Sequence, residues 1–282
     1  SICIISLFVT FVLITGGMDI QAGSIIGLTS ISLGVLWQDA GLNIWLAVFI
    51  GLLIGGICGG ISGFFVAFTG VQAMVVTLGG QFLYSGLALT VINLSSSTAF
   101  EGISGYPQSF ALIGGGTLLG IPNPVVIFII LAILGYILLH KSKYGRYVFL
   151  CGINKNAAEY SGIKRKLVVM STYILSGVSA SVAGIILTSY LGSARADLGK
   201  ELTLPIITAV VLGGTSNLGG RGNIIGTALA AIVIGIMRFG LVMAGLSTQY
   251  LDIPIGLLLI IAVASRGIFN NKDLAKRLLK FY

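Results

Sequence analysis

The sequence predicts an all-α fold, a bundle of helices that crosses a membrane several times. Of the 282 residues, 56% are hydrophobic and only 9% are charged, and the mean hydropathy is +1.06. Because about a quarter of the residues of a soluble domain are charged, this composition excludes an ordinary soluble protein. Apolar runs that can span lipid recur about nine times, the first of them partial, and 41 glycines favour helices packed closely in lipid.

The first apolar run begins at Ser1 itself, without Met or the basic residues of a signal peptide, so we expect a fragment that lacks at least one span. This run ends at residues 15–24, a turn broken by glycines that carries Asp19. An acid pressed between apolar segments is a candidate functional residue. A turn in which Asp19 caps the next helix, near its positive N-terminus, explains the same residue equally well.

Residues 43–68 form a full span in which a glycine recurs at every fourth position. Such a ridge lets a second helix lie against it backbone to backbone, so close packing is preferred over a role in gating. The ridge comprises Gly51, Gly55, Gly59 and Gly63.

The next span, residues 71–94, carries polar uncharged side chains on one helical face. Thr77, Gln81 and Ser85 follow one another at intervals of four residues. This stripe can line the path of a neutral, hydroxyl-rich solute. It can equally hold helices together through hydrogen bonds, which is the more common use of such residues in lipid.

A basic segment at residues 140–166 sets the predicted orientation. It holds seven of the sixteen Lys and Arg residues, whereas the polar loop at residues 95–121 holds none. Basic loops stay in the cytoplasm, so the basic segment is expected inside and the polar loop outside. Within the basic segment, residues 154–162 combine Ala, Asn and Glu and predict a short cytoplasmic helix that would contact a partner.

The second half of the chain alternates in the same way. A span at residues 167–190 leads out, and Pro205 lies in an apolar run that spans only with help from the segment after it. Residues 224–244 lead out again, with Arg238 expected to reach the lipid headgroups, and the last span returns to a basic tail. Twelve of the sixteen cationic residues then lie inside, which explains the net charge of +8 without nucleic acid.

Several kinds of chemistry find no support in the pattern. Residues 213–223 are rich in glycine but lack the spacing of a phosphate-binding loop. HExxH and GxSxG motifs do not occur, and the three cysteines and single histidine make no metal-binding pattern. We therefore expect a transport subunit that is not an enzyme, with no catalytic residue, metal or cofactor of its own. Any energy would come from a partner at the basic segment.

Three motifs resemble those of permease subunits of ribose-type ABC importers, which serve monosaccharides and autoinducer-2. They are Gly145-Arg146 with residues 152–158 and 161–163, residues 17–24, and residues 209–216 with 219–222. Within the second motif, Ile20, Gln21 and Ala22 depart from the family's usual Leu, Ser and Val. Residues 100–107 and 189–199 are most similar to the D-type permease subunit of autoinducer-2 import systems.

The resemblance implies one permease domain over residues 1–282, with about ten helices, so that roughly 40 residues would be missing before Ser1. It makes residues 140–166 a cytoplasmic coupling loop seated in a groove of a separate ATPase subunit, which binds the ATP. Gly162 would either allow close approach or end the loop helix. The coupling residues implied are Arg146, Gly152, Asn154, Ala157, Ala158 and Gly162.

The implied partners are a second permease subunit, identical or different, and a periplasmic or lipid-anchored substrate-binding protein, all at the bacterial inner membrane. For the solute path we hypothesise Asp19 together with Thr77, Gln81 and Ser85. Autoinducer-2 is the expected solute, and ribose or another monosaccharide is the alternative. A secondary transporter without an ATPase and a membrane scaffold without transport are the alternatives from other classes.

Overall fold

The computed structural model describes residues 1–95, 102–247 and 250–270, with side chains described up to residue 264. Short π-helical turns at Phe65–Thr69 and Ile137–Lys141 extend α3 and α6, and a two-stranded hairpin pairs β1, Thr117–Leu118, with β2, Ile121–Pro122. The helices are α1 Ile2–Ile14, α2 Ala22–Gln38, α3 Ile44–Phe64, α4 Ala73–Ile92, α5 Gln108–Gly115, α6 Asn123–Tyr136, α7 Lys143–Ile153, α8 Lys155–Tyr160, α9 Arg165–Leu191, α10 Thr203–Leu212, α11 Ile224–Met243 and α12 Asp252–Asn270.

The all-α membrane bundle is confirmed, and the predicted apolar segments all form helices. Within the described residues, five helices are long and apolar enough to cross a membrane: Ile44–Thr69, Ala73–Ile92, Asn123–Lys141, Arg165–Leu191 and Ile224–Met243. Four shorter apolar helices accompany them: Ile2–Ile14, Ala22–Gln38, Thr203–Leu212 and Asp252–Ala264. The described lengths of these four helices are 10–17 residues, and α12 as a whole runs from Asp252 to Asn270. The predicted number of spans therefore stays a prediction.

The glycine ridge of α3 packs against α9, as predicted, and this is the most extensive helix contact in the described structure. A Cβ placed on Gly59 would overlap the carbonyl oxygen of Tyr173, and one on Gly55 would overlap that of Gly177. The two backbones can approach this closely because neither glycine has a side chain. The ridge thus seats α9 in the centre of the bundle.

Two pairs of hydroxyl groups join α9 to a second helix, α2. The hydroxyl oxygens of Thr29 and Ser181 lie 2.8 Å apart, and those of Ser30 and Thr188 lie 2.6 Å apart. All four side chains are buried. In a bundle surrounded by lipid, such pairs supply attraction that apolar contact alone does not.

The structure differs from the prediction in the polar loop at residues 95–121. Its described part contains α5, whose Phe110 is buried, and the β1–β2 hairpin. Leu119 and Gly120 form the hairpin turn at φ of +53° and +80°, and Leu119 is 96% exposed. The apolar runs of this region, residues 110–113 and 118–119, are short and separated by three glycines, so they were not recognised as a helix and a hairpin. Glu101 and the predicted basic tail after residue 270 lie outside the described residues.

Helix α7 was also missed, because the basic segment was expected to be helical only at residues 154–162. The hydroxyl of Ser142 caps α7 by accepting a hydrogen bond from the amide of Gly145 at 3.1 Å. Gly145, Val148 and Cys151 recur every three residues and form its buried face. The basic segment is therefore two helices, α7 and α8, that follow α6 at one end of the bundle, which we call the basic end.

Candidate functional site

A cavity of about 380 Å³ lies between α4, the start of α2 and the segment that leads from α9 to α10. Its walls combine apolar side chains such as Phe82 and Leu89 with six polar ones. The polar side chains are those of Ser24, Gln81, Ser85, Asp197, Lys200 and Thr203. A mainly apolar cleft with a few convergent polar groups is the usual form of a small-molecule site.

Two residues of the predicted stripe, Gln81 and Ser85, line this cavity. The Ser85 hydroxyl donates to the Ser24 hydroxyl across it at 3.0 Å, which ties α4 to α2. Amide and hydroxyl groups can both donate and accept hydrogen bonds, so this wall suits a neutral solute with several hydroxyls.

The charged side chains lie on the segment between α9 and α10. Asp197 forms an ion pair with Arg195 at 2.7 Å, and both side chains are at least half exposed. Further along, Glu201 pairs with Arg238 of α11 at 3.7 Å, although Arg238 was expected to reach the headgroups. This second pair links α11 to the segment that forms the cavity rim.

Thr77 does not share the position of its two stripe partners. It is fully buried, and its hydroxyl donates to the carbonyl oxygens of Ala73 at 3.0 Å and Met18 at 3.2 Å. Since a helix turns 100° per residue, eight residues separate Thr77 and Ser85 by about 80° around α4. The stripe therefore winds, and Thr77 holds α4 to the turn before α2 instead of facing the cavity.

Asp19 is also absent from the described lining of the cavity. Its carboxylate is 1% exposed and accepts hydrogen bonds from the Gln21 amide at 3.1 Å and the Ser176 hydroxyl at 2.5 Å. The first bond lies within the turn that leads into α2, whose N-cap is Gln21, and the second fastens that turn to α9. In the described structure Asp19 forms no ion pair with Lys, Arg or His.

Gln21, noted only as a departure from the family motif, occupies a buried polar cluster. Its side-chain oxygen accepts a hydrogen bond from Ser62 at 2.6 Å, next to the Tyr84 hydroxyl, which donates to the Cys58 carbonyl at 3.0 Å. The side-chain amide nitrogen of Gln21, Nε2, is buried and has no hydrogen-bond partner among the described residues. Sequence reasoning missed the cluster because its members come from three separate elements.

The predicted helix of the basic segment is confirmed as α8. Asn154 caps it by accepting hydrogen bonds from the amides of Asn156 and Ala157, and Gly162 follows its end at a φ of +76°. A Cβ on Gly162 would meet no described atom within 4 Å, so in this chain Gly162 ends the helix. On α8, Ala158 is buried against the bundle, whereas Ala157 and Tyr160 face outward. Tyr160 is 92% exposed.

The other two residues that the resemblance implies for coupling lie on α7 and face opposite directions. Arg146 is exposed. Gly152 faces the bundle, where a Cβ would overlap the carbonyl oxygen of Ile14 at the end of α1. Gly220, in the glycine-rich turn between α10 and α11, donates its amide hydrogen to that same oxygen at 2.8 Å. Two of the three sequence motifs therefore meet at the end of α1, three residues before the remaining motif begins.

A family model for the permease component of branched-chain amino acid transport systems matches residues 1–263. The chain is 42% identical over 270 residues to the autoinducer 2 import system permease protein LsrD of Klebsiella pneumoniae subsp. pneumoniae, covering 96% of this chain and 81% of that protein. The LsrD protein of an Enterobacter species is 41% identical, with 96% and 82% covered. That of Salmonella paratyphi B is 42% identical, with 99% and 83% covered.

No solved structure matches the chain significantly. The family model covers almost the whole chain, and the relatives are similar along nearly the same length. The predicted resemblance to importer permeases is therefore confirmed. The chain belongs to the family of branched-chain amino acid transport system permease components and is a multi-pass membrane permease of an ABC-type import system.

Proposed function

We propose that this permease carries autoinducer-2 across the bacterial inner membrane, as one subunit of an importer that depends on a substrate-binding protein. The main support is the sequence identity of 41–42% to permeases named for autoinducer-2 import, which extends over 96% or more of the chain. The cavity supports a small, neutral, hydroxylated solute because Ser24, Gln81 and Ser85 offer uncharged donors and acceptors.

The energy would come from a separate ATPase subunit seated on the basic segment, with no cofactor bound by this chain. Two helices support this role: α8 projects an exposed Tyr160, and α7 exposes Arg146. A capped six-residue helix with a defined end is a rigid element, which can transmit a movement of the ATPase without unfolding. A second permease subunit and a binding protein would complete the importer.

Within the cavity, Gln81 and Ser85 are the proposed solute contacts. Asp19 and Thr77, which were hypothesised to share this role, are proposed instead to position the walls. Asp19 fixes the start of α2 to α9, and Thr77 fixes α4 to the turn before α2. A solute would then meet α2 and α4 in a defined relative position.

Uptake by the reconstituted complex, with both permeases, the ATPase and the binding protein, tests the proposal. We expect ATP-dependent uptake of labelled autoinducer-2 that unlabelled autoinducer-2 reduces and ribose does not. Reduction by ribose alone would keep the importer and replace the solute by a monosaccharide. Uptake that follows an ion gradient and ignores ATP would favour a secondary transporter and overturn the proposal.

A further inference from the structure

Three backbones meet where α7 touches the bundle, at Gly152, Ile14 and Gly220, which we call the glycine junction. The Ile14 carbonyl accepts the Gly220 amide hydrogen at 2.8 Å, and Gly152 lies directly against both residues. A Cβ on Gly152 would overlap that carbonyl. Because the contact is backbone to backbone, with no flexible side chain between, a displacement of α7 passes directly to both partners.

The turn that contains Gly220 is held rigidly by its geometry. Gly219 and Gly220 have φ of +88° and +74°. Gly16, in the turn after α1 that faces them, has a φ of +80°. A Cβ on Gly219 would lie 2.9 Å from the Gly16 amide nitrogen. Residues with side chains rarely adopt such φ values, so the turn depends on glycine both for its conformation and for its contacts.

Two short pieces of chain lead from the glycine junction to the cavity. After Ile14, residues 15–24 run to Ser24 in the cavity wall. On the other side, residues 213–219 lead from Gly220 back to α10. The ten residues of α10, about 15 Å in length, then reach Thr203 in the same wall. The two pieces join again beside the cavity, where the Thr203 hydroxyl donates to the Ile20 carbonyl at 3.4 Å.

The basic segment has a second attachment to this half of the bundle. Nε2 of His140, at the end of the helical turn after α6, accepts a hydrogen bond from the Ile224 amide at 3.4 Å. Ile224 begins α11, whose Arg238 is paired with Glu201 near the rim of the cavity. The segment therefore grips both the glycine-rich turn and the helix that follows it.

We propose that Gly152 is a positioning residue for transport: through the glycine junction, movement of the basic segment displaces Ser24 and Thr203 together and so reshapes the cavity. This inference rests on the proposed function for the source of the movement, an ATPase on the outer face of α8. It adds the inner contact that carries the movement onward. The two cavity residues respond as a pair because the chain that leads to them is hydrogen-bonded at two places, between Ile14 and Gly220 at the junction and between Ile20 and Thr203 beside the cavity.

The first test measures uptake and ATP hydrolysis in the same reconstituted complex with Gly152→Ala. We expect solute transported per ATP hydrolysed to fall at least tenfold, because the added methyl separates α7 from Ile14. Gly235→Ala is the matched control, since a Cβ there meets no described atom within 4 Å, and its ratio should stay normal. An unchanged ratio in Gly152→Ala, or an equal loss of both activities in a folded complex, overturns the inference.

The second test keeps the junction intact. Ser24→Cys and Thr203→Cys, in separate complexes lacking the native cysteines, are labelled with a small maleimide with and without ATP and vanadate. We expect trapping to change both labelling rates at least fivefold. A change at only one position, or at neither, overturns the inference, whereas absence of ATP-dependent uptake in the parent complex overturns the proposed function instead.

Discussion

Gly152 lies on α7 and Gly162 lies just after the end of α8, and the two positions require glycine for different reasons. Gly152 has no room for a Cβ, whereas Gly162 has open space but a φ of +76°. A side chain at Gly152 is therefore excluded by contact and one at Gly162 by conformation. Asn and Asp tolerate positive φ better than other residues, which offers a way to test Gly162 by charge alone.

We predict that Gly162→Asp abolishes uptake and that Gly162→Asn retains at least half of it, with normal membrane insertion in both. The two side chains have nearly the same size, but the aspartate places a negative charge at the negative end of α8, on the surface proposed to meet the ATPase. Uptake assays and quantitative blots of membrane fractions measure the two outcomes. Normal uptake by Gly162→Asp would refute the coupling role of this helix end.

The stripe of α4 allows a second prediction at the level of single residues. Gln81→Ala combined with Ser85→Ala should raise the KM for uptake about thirtyfold, because two hydrogen bonds to the solute, each worth about 1 kcal/mol, are lost. The matched control is Thr77→Val, which keeps the side-chain shape and removes only the bonds to Met18 and Ala73. It should lower thermal stability and leave KM unchanged. The reverse result would place the solute elsewhere.

At the scale of elements, the contact between α3 and α9 depends on one face of α3. Gly59 faces α9 so closely that a Cβ would overlap the backbone, whereas a Cβ on Gly56 would lie 3.5 Å from Cγ2 of Val178, an ordinary contact. The same substitution on the two residues thus separates packing from helix propensity.

We predict that Gly59→Ala destabilises the protein by about 1–3 kcal/mol, the usual range for overpacking, while Gly56→Ala has little effect. Thermal unfolding of the purified variants in detergent, followed by size-exclusion chromatography, measures the difference. Equal stabilities would mean that α9 moves away from α3 at no cost, contrary to a close backbone contact.

At the scale of the whole molecule, the orientation of the bundle can be read from two of its most exposed side chains. Tyr160 is 92% exposed at the end of α8, and Leu119 is 96% exposed in the hairpin before α6. Because the helix Asn123–Lys141, which is long and apolar enough to cross a membrane, separates them, we expect them on opposite sides of the membrane.

We expect an impermeant maleimide to label Leu119→Cys in intact cells and Tyr160→Cys only after the cells are opened. The background protein has Cys3, Cys58 and Cys151 replaced, of which the last two are already buried. Labelling of Tyr160→Cys in intact cells would reverse the orientation predicted from the basic segment.

Sequence reasoning found the features that are local in the chain. A run of apolar residues has the length that lipid requires, so helices such as α4 and α9 were predicted close to their observed ends. The helix α8 was found because residues 154–162 combine Ala, Asn and Glu, which is a local signal. Helix α7 was missed because its charged residues concealed the spacing of Val148 and Cys151.

The tertiary arrangement of the site was beyond such reasoning. Ser24, Ser85 and Thr203 line one cavity although they lie far apart in sequence, and no spacing rule joins them. The glycine-rich turn was recognised as part of a family motif and rejected as a phosphate loop, but its sequence did not show that Gly220 closes the junction with Gly152. Contacts between distant backbones leave no periodic trace in the sequence, beyond a glycine where a side chain cannot fit.

Two of the buried hydroxyl pairs lower the free energy needed to separate the helices that they join. Thr10 of α1 faces Thr227 of α11 at 3.0 Å, yet it also bonds the Ser6 carbonyl of its own helix at 2.8 Å. Thr188, opposite Ser30, keeps the same kind of bond to Gly184. When two such helices part, Thr10 and Thr188 each keep an acceptor on their own helix, so one hydroxyl of each pair is not left unbonded in lipid.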